Sequence, residues 1–328
     1  EMKALSLFSG GLDSQLAVCL IKDQGIEVMG VNFTTPFFGA EAKVQEAADN
    51  LDIPLKSVHL ADEYMMILRQ PRYGFGKNMN ACIDCHGLMQ RKILALLPEL
   101  EASFVISGEV VGQRPMSQTR QSLGLVDKLG GPGSELIVRP LSARLLPPSK
   151  PEEMGWVNRE RLLDISGRSR KIQMELADQY GLKDYPTPAG GCLLTQENFS
   201  RRLRRYLDDH PESTIIDLEA LKYGRHFYLE DGSLLIVGRH QADNQALSAH
   251  ALPRDLFMKA AERPGPLAIL RSPAPPKPEL AAYAAAIVAR YSDAKDLPEV
   301  AVKTWVTGSA GQILRVRPLT PAEIPPTY

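Results

Sequence analysis

The chain is poor in cysteine, in net charge and in long apolar stretches. Four cysteines among 328 residues are too few for a disulfide scaffold, which points to a reducing, cytoplasmic setting. Lysine plus arginine, 38, nearly equals aspartate plus glutamate, 39. A globally basic nucleic-acid coat is thereby excluded, whereas a local basic face is not. No apolar run is long enough for a transmembrane helix, so no membrane partner is expected. The opening residues Glu1–Leu5 lead straight into a strand-like run instead of a secretory leader. Internal repeats are also missing. What is present is an apolar content of 44%, sufficient for one large domain or two of ordinary size.

The first third of the chain alternates strand and helix signals. Lys3–Ser9, Glu27–Phe33, Lys56–His59 and Phe104–Ser107 read as buried-type strands, with Leu12–Lys22 and Ala40–Leu51 as helices between them. That alternation predicts an α/β fold, a doubly wound, mostly parallel sheet whose site lies beyond the carboxyl ends of the strands. Asp127–Ser134 and Leu146–Pro151 read as loops, and Arg159–Asp164 and Ser169–Tyr180 as helices. A boundary is expected after the Pro/Gly-rich Tyr185–Gly191 loop, giving residues 1–195 and 196–328 as two domains. In the second, Gln196–Asp209 reads as a charged helix and Gly224–Val237 as a hairpin turning at Asp231-Gly232. Glu279–Tyr291 reads as a helix, Val300–Val306 and Gln312–Val316 as strands, and Arg263–Pro278 as a mobile loop. The second domain is therefore expected to be α+β.

Ser9-Gly10-Gly11-Leu12-Asp13-Ser14 sits between the first strand and the first helix. Two glycines let the backbone approach a ligand closely, and the following helix start supplies amides for an anion. Asp13 adds negative charge, which suits phosphates only when a magnesium ion accompanies them. The Gly-Lys-Ser/Thr ending of a Walker loop is missing. The hexapeptide resembles the signature of the PP-loop ATP pyrophosphatase family, Ser-Gly-Gly-x-Asp-Ser. That resemblance implies ATP cleaved between its α and β phosphates, AMP transferred to a substrate oxygen, and Ser9, Gly10, Gly11, Asp13 and Ser14 holding the pyrophosphate part. Gly108 and Glu109, at a strand end, are added as nucleotide or magnesium contacts, Glu109 being equally readable as a structural carboxylate.

The cysteines choose among chemistries. Cys82 and Cys85 form a two-residue-spaced pair with His86 adjacent, Cys192 follows Gly190-Gly191, and Cys19 falls on the apolar side of the first helix. The first three read as a zinc site completed by His86, as a persulfide and disulfide relay, as unrelated structural thiols, or as ligands of a [4Fe-4S] cluster with one open iron. Tyr73–Cys82 is similar to the region before the first cysteine of bacterial tRNA 2-thiouridine synthases, with Ala81 where that pattern has proline and His86 where it has asparagine. Gly108–Gln118 resembles a segment of tRNA 4-thiouridine synthases, and the three cysteines resemble the iron-sulfur subset of PP-loop thiolation enzymes. These resemblances imply an ATP-dependent sulfurtransferase that adenylates a tRNA uridine and replaces its oxygen with sulfur delivered from a [4Fe-4S] cluster on Cys82, Cys85 and Cys192, with persulfide chemistry without a cluster as the alternative. Catalysis is then assigned to Cys82, Cys85, Cys192 and Asp13. The implied partners are tRNA and sulfide or a sulfur-donor protein, with a possible homodimer. The alternatives are a PP-loop ligase or amidotransferase acting on a small molecule, and an RNA-binding protein without catalysis.

RNA contacts are expected from basic clusters, Arg168, Arg170 and Lys171 in one, Arg201, Arg202, Arg204 and Arg205 in another. Gly224–Phe227 and Val237–Asn244, which contain Arg225 and Arg239, resemble the RNA-binding domain of NFACT proteins. Phe227, beside basic residues, suits stacking on unpaired bases.

Overall fold

The computed structural model describes residues 2–39, 41–186 and 191–328, which divide into two units, Glu1–Thr195 and Gln196–Tyr328. In the first, five short apolar segments pair as β1 (Lys3–Leu7), β2 (Glu27–Thr34), β3 (Leu55–His59), β4 (Phe104–Ser107) and β5 (Ile137–Val138). All neighbours run parallel, in the order β3-β2-β1-β4-β5. Ala4, Leu5, Phe104, Val105 and Ile106 are fully excluded from solvent, as strands covered on both faces must be. The helices are α1 (Leu12–Lys22), α2 (Glu41–Asn50), α3 (Glu63–Arg69), α4 (Cys82–Leu96), α5 (Arg120–Gly130), α6 (Lys150–Glu153) and α7 (Lys171–Tyr180). Ala17, Val18 and Ile21 of α1 join Val44, Ala47 and Ala48 of α2 over the sheet, while Leu12, Leu16 and Leu20 face Ala177 of α7. Trp156 packs against Phe104 with ring centroids 6.5 Å apart. The chain builds outward from β1 to β3, then returns to lay β4 on the other side of β1. The switch point of the sheet is therefore the gap between β1 and β4, where such sheets open a crevice.

Three expectations in this unit are corrected, one being the loop Leu146–Pro151, because α6 begins at Lys150 behind the Ser149 capping box. Residues 127–130 are not loop but the last turn of α5, because Leu123 and Val126 are buried and a threonine cap, Thr119 Oγ1 accepting from Ser122 N at 3.0 Å, starts the helix earlier. Arg159–Asp164 holds only a 3₁₀ turn at Arg159–Arg161.

The second unit contains α8 (Glu197–Asp209), β6 (Arg225–Tyr228), β7 (Leu234–Val237), α9 (Gln241–His250), β8 (Leu256–Ala260), β9 (Ala268–Arg271), α10 (Pro278–Arg290), β10 (Val300–Trp305) and β11 (Gln312–Val316). Its six strands are antiparallel, in the order β11-β10-β8-β9-β7-β6. The β6–β7 hairpin turns at Gly232, whose φ of 82° is open to glycine at little cost. Small residues on α10, among them Ala284, Ala285 and Ala289, are in the core with the sheet residues Phe227, Leu235 and Val302. Trp305 stacks on Phe257 at 5.2 Å. Arg263–Pro278 is not an open loop: it contains β9, which lies between β8 and β7. Its prolines flank the strand, where no ladder hydrogen bond is lost.

Candidate functional site

The Ser9–Ser14 loop leaves the carboxyl end of β1 at the switch point. Gly10 takes φ 73°, and Gly11 heads α1 without any side-chain cap, so the first amides of the helix keep their capacity for an anion. Ser14 Oγ donates to Gly11 O at 2.8 Å and lies 3.4 Å from Ser9 Oγ. Gln15 Nε2 donates to Gly10 O at 2.8 Å and braces the turn. Gly108, the first residue after β4, shows why only glycine fits there: a Cβ would lie 2.6 Å from Ser14 N and 2.7 Å from Asp13 C. Asp13 Oδ2 accepts from Gln113 Nε2 at 2.5 Å, and Gln173 Nε2 donates to Gln113 Oε1 at 2.8 Å. Asp13 Oδ1 is buried with no hydrogen-bond partner. A carboxylate oxygen left in that state fits a magnesium ion arriving with pyrophosphate. Beside the loop a cavity of about 310 Å³ is lined by Ser9, Gly10, Lys43, Glu46, Asn50 and Tyr185. Gln113 was within a segment singled out in the sequence, but its grip on Asp13 had no signal there.

The cysteine loop is built by local hydrogen bonds. Asp84 accepts from the backbone amides of Arg72 at 2.7 Å and Tyr73 at 3.0 Å, and Gly76 N donates to Asn80 O at 2.8 Å. This sets Cys82 as the first residue of α4, with Asn80 Nδ2 3.5 Å from its sulfur. Two bonds fasten the Cys192 segment nearby: Leu193 N donates to Phe37 O at 3.0 Å and Asn78 Nδ2 donates to Thr195 O at 2.7 Å. Cys82, Cys85 and Cys192 all fall within electrostatic reach of the Tyr64 hydroxyl, which hydrogen-bonds the Cys85 sulfur. Burial, then the charge of the neighbouring thiols, raises Cys85 far above the usual thiol range. Burial likewise pushes Cys192 up to about 11, Cys82 adding to it and Arg114 opposing it. Cys85 is buried whereas Cys82 and Cys192 are partly exposed. Thr187–Gly190, including the first glycine before Cys192, lies outside the described residues. Cys19 is buried in α1, as expected. Tyr64 carried no sequence signal, since a tyrosine in an unrecognised helix looks like any core aromatic.

Glu109 is committed to structure. Its Oε2 accepts from Arg139 Nε at 2.8 Å and its Oε1 lies 3.2 Å from His86 Nδ1. Arg139 in turn meets Asp127 at 2.7 Å. Burial favours the protonated acid, but Arg139 and His86 together outweigh it and hold the carboxyl well below its ordinary range. Each Glu109 oxygen already has one protein partner, and the carboxylate anchors His86. Among the described residues no three His, Cys, Asp or Glu side chains converge as metal ligands. Zinc completed by His86 does not fit this arrangement; Cys82, Cys85 and Cys192 are the residues that would hold a [4Fe-4S] cluster. No step is derived through either.

The basic residues fare unequally. Arg168 and Lys171 are exposed, and Arg170 is partly buried with Nε unpartnered. In the second unit Arg201 lies 5.3 Å from the Tyr328 ring and Arg205 5.0 Å from the Tyr228 ring, with Arg205 also bonded to Asp209 at 2.6 Å. Arg204 is exposed. Arg225 packs over Tyr291 at 4.8 Å, and Arg239 is paired with Asp243 at 2.8 Å. Arg202 is spent internally, donating to Tyr328 O at 2.8 Å and Gly224 O at 3.3 Å. Phe227 is fully buried and cannot stack on a base. Tyr228 and Tyr328, both half-buried, are the rings beside the arginines.

A parallel sheet with a Ser-Gly-Gly-x-Asp-Ser loop at its switch point gives the first unit its resemblance to PP-loop nucleotide-binding domains. Residues 224–328 match the family described as the NFACT protein RNA binding domain. The chain is similar to the tRNA-specific 2-thiouridylase MnmA of Streptococcus sanguinis, 25% identical over 266 residues, covering 72% of this chain and 66% of that protein. The same enzyme of Streptococcus uberis is 24% identical with the same coverage. The chain thus spans about two thirds, 66%, of these relatives' length. A 4-thiouridine synthetase crystallised with RNA and ATP matches at 21% identity and a TM-score of 0.38, covering 55% of this chain and 41% of that one. The chain is thus similar to tRNA-specific 2-thiouridylases over most of its length and to the NFACT RNA binding domain over residues 224–328.

Proposed function

We propose that this protein is an ATP-dependent tRNA sulfurtransferase. The observation that supports the reading is the Asn78 Nδ2–Thr195 O bond, which ties the Cys192 segment to the chain just before Cys82 in the unit that holds the Ser9–Ser14 loop. ATP binds with its phosphates on the loop amides and the Ser9 and Ser14 hydroxyls. A uridine carbonyl oxygen attacks the α phosphorus and pyrophosphate departs, so that a poor leaving oxygen becomes AMP. Bound magnesium would be held by Asp13 and would offset charge on the pyrophosphate. The fixed amides of α1 do the same without reorganising.

Sulfur then arrives as a persulfide on one of the two partly exposed thiols, Cys82 or Cys192, loaded by a persulfide donor. Its terminal sulfur attacks the adenylated carbon and AMP leaves. The other thiol attacks the inner sulfur, which releases the thiouridine and leaves a Cys82–Cys192 disulfide. An external dithiol supplies the two electrons that restore both thiols. Holding sulfur and adenylate together accounts for much of the rate. A cluster route is the rival, and it is read by colour: anaerobically purified protein is expected to lack iron and broad visible absorbance. Stoichiometric iron with acid-labile sulfide would replace the persulfide route.

Exposed Arg168, Lys171, Arg201 and Arg204 supply phosphate contacts, and the tyrosines beside Arg201 and Arg205 supply rings for unpaired bases. The decisive measurement is mass spectrometry of tRNA nucleosides from a deletion strain complemented with wild type, Cys82→Ala or Cys192→Ala. A thionucleoside lost in the deletion should return only with the wild type. An unchanged thionucleoside profile in the deletion would defeat the proposal, and pyrophosphate release independent of added tRNA would favour a small-molecule ligase.

A further inference from the structure

The persulfide reading uses two thiols and leaves Cys85 without a task, although its setting is specific. Cys82 heads α4 and Cys85 stands three residues on, so the two share one face of its first turn. A Cys-x-x-Cys pair at a helix start is an arrangement that closes and opens a disulfide readily. The outer thiol is partly exposed and the inner one is buried. The Tyr64 hydroxyl bonds to the inner sulfur, and Cys82 and Cys192 both act on that sulfur electrostatically. Tyr64 is itself held between Phe37 and Phe38, each with its ring centroid 5.9 Å away, and Phe37 O is the acceptor that fastens Leu193 beside Cys192.

We infer that Cys85 is the thiol that clears the disulfide left by sulfur transfer, with Tyr64 as its positioning residue. This rests on the persulfide reading above. Cys85 sulfur attacks Cys82 sulfur, the Cys82–Cys192 bond breaks, and a Cys82–Cys85 bond forms. The proton of Cys85 passes to the departing Cys192 sulfur. The exchange is neutral in electrons, so one disulfide and one thiol go in and come out. Cys192 is thereby freed for the next persulfide, and the external dithiol reduces the Cys82–Cys85 bond instead. A thiol that was only a packing residue would have no such effect on which disulfide persists.

The test uses the full chain without ATP or tRNA, so it does not depend on thiolation activity. Protein is oxidised briefly with diamide, quenched in acid, alkylated, and mapped without reduction. In the wild type the peptide containing Cys82 and Cys85 should have lost two hydrogens, with Cys192 alkylated. In Cys85→Ser the Cys82 and Cys192 peptides should be joined. Wild-type protein that accumulates Cys82–Cys192 with Cys85 alkylated, or forms no disulfide, would overturn the inference. Tyr64→Phe retains all three thiols and covers the case in which Cys85→Ser does not fold. It should prolong the Cys82–Cys192 species about tenfold, the worth of one hydrogen bond; an unchanged lifetime would overturn the inference. Normal mapping without any thiouridine product would instead sink the functional reading and leave the exchange standing.

Discussion

One missing methyl group governs the nucleotide loop. Gly108→Ala drives a Cβ into the Ser14 amide and the Asp13 carbonyl carbon, and both are backbone atoms that cannot swing aside. The expected outcome is a loss of about 100-fold in tRNA-dependent pyrophosphate release, the scale of a small misplacement at a reacting centre, with stability lowered by about 1–3 kcal/mol through the backbone clash. Kinetics equal to wild type would show that the loop tolerates the shift. The hexapeptide, Gly108 and the three cysteines were all legible in the sequence, because glycine, aspartate and cysteine carry chemistry that few other contexts require. Gln113 and Tyr64 were not. Their contributions are hydrogen bonds to residues remote in the chain, and neither residue type announces its partner.

At the scale of elements, α4, α5 and β4 are tied together by charge. Arg139 joins Glu109 and Asp127, and both Arg139 and Glu109 are buried. Arg139→Met leaves Glu109 as an unmatched buried charge and should cost about 3–5 kcal/mol in urea unfolding. Adding Glu109→Gln should recover part of that loss; additive losses would deny the coupling. The β6 residue His226 makes a second prediction. It is fully buried, its Nε2 donates to Tyr223 O at 2.9 Å, and burial, then Arg202, lowers its pKa from 6.5 to about 3. Between those values the unfolded chain binds more protons, so stability falls as pH drops below 6.5. By about pH 5 the loss should be near 2 kcal/mol, and His226→Gln should flatten that slope. The helices missed in the sequence are α3, α4, α5, α6 and α9, which are short or have their apolar spacing interrupted by polar residues. Strand β9 was missed because prolines on both sides imitate a loop.

At the scale of the molecule, each unit has its own core. Calorimetry should therefore resolve two transitions, and ATP at about 100 times its dissociation constant should add about 2.7 kcal/mol to one of them alone. A single transition shifted as a whole would show the units to be thermodynamically fused. Binding of tRNA should weaken steeply with salt, and Arg201→Ala with Arg204→Ala should reduce the logarithmic slope by about 2. An unchanged slope would remove α8 from the RNA contact. The sequence contains two tryptophans, and they fall one to each unit, Trp156 on Phe104 and Trp305 on Phe257. Nature has thus supplied each half with its own fluorophore. Replacing either indole by phenylalanine leaves a lamp in the other half, so emission can follow nucleotide loading and RNA capture separately, without any dye.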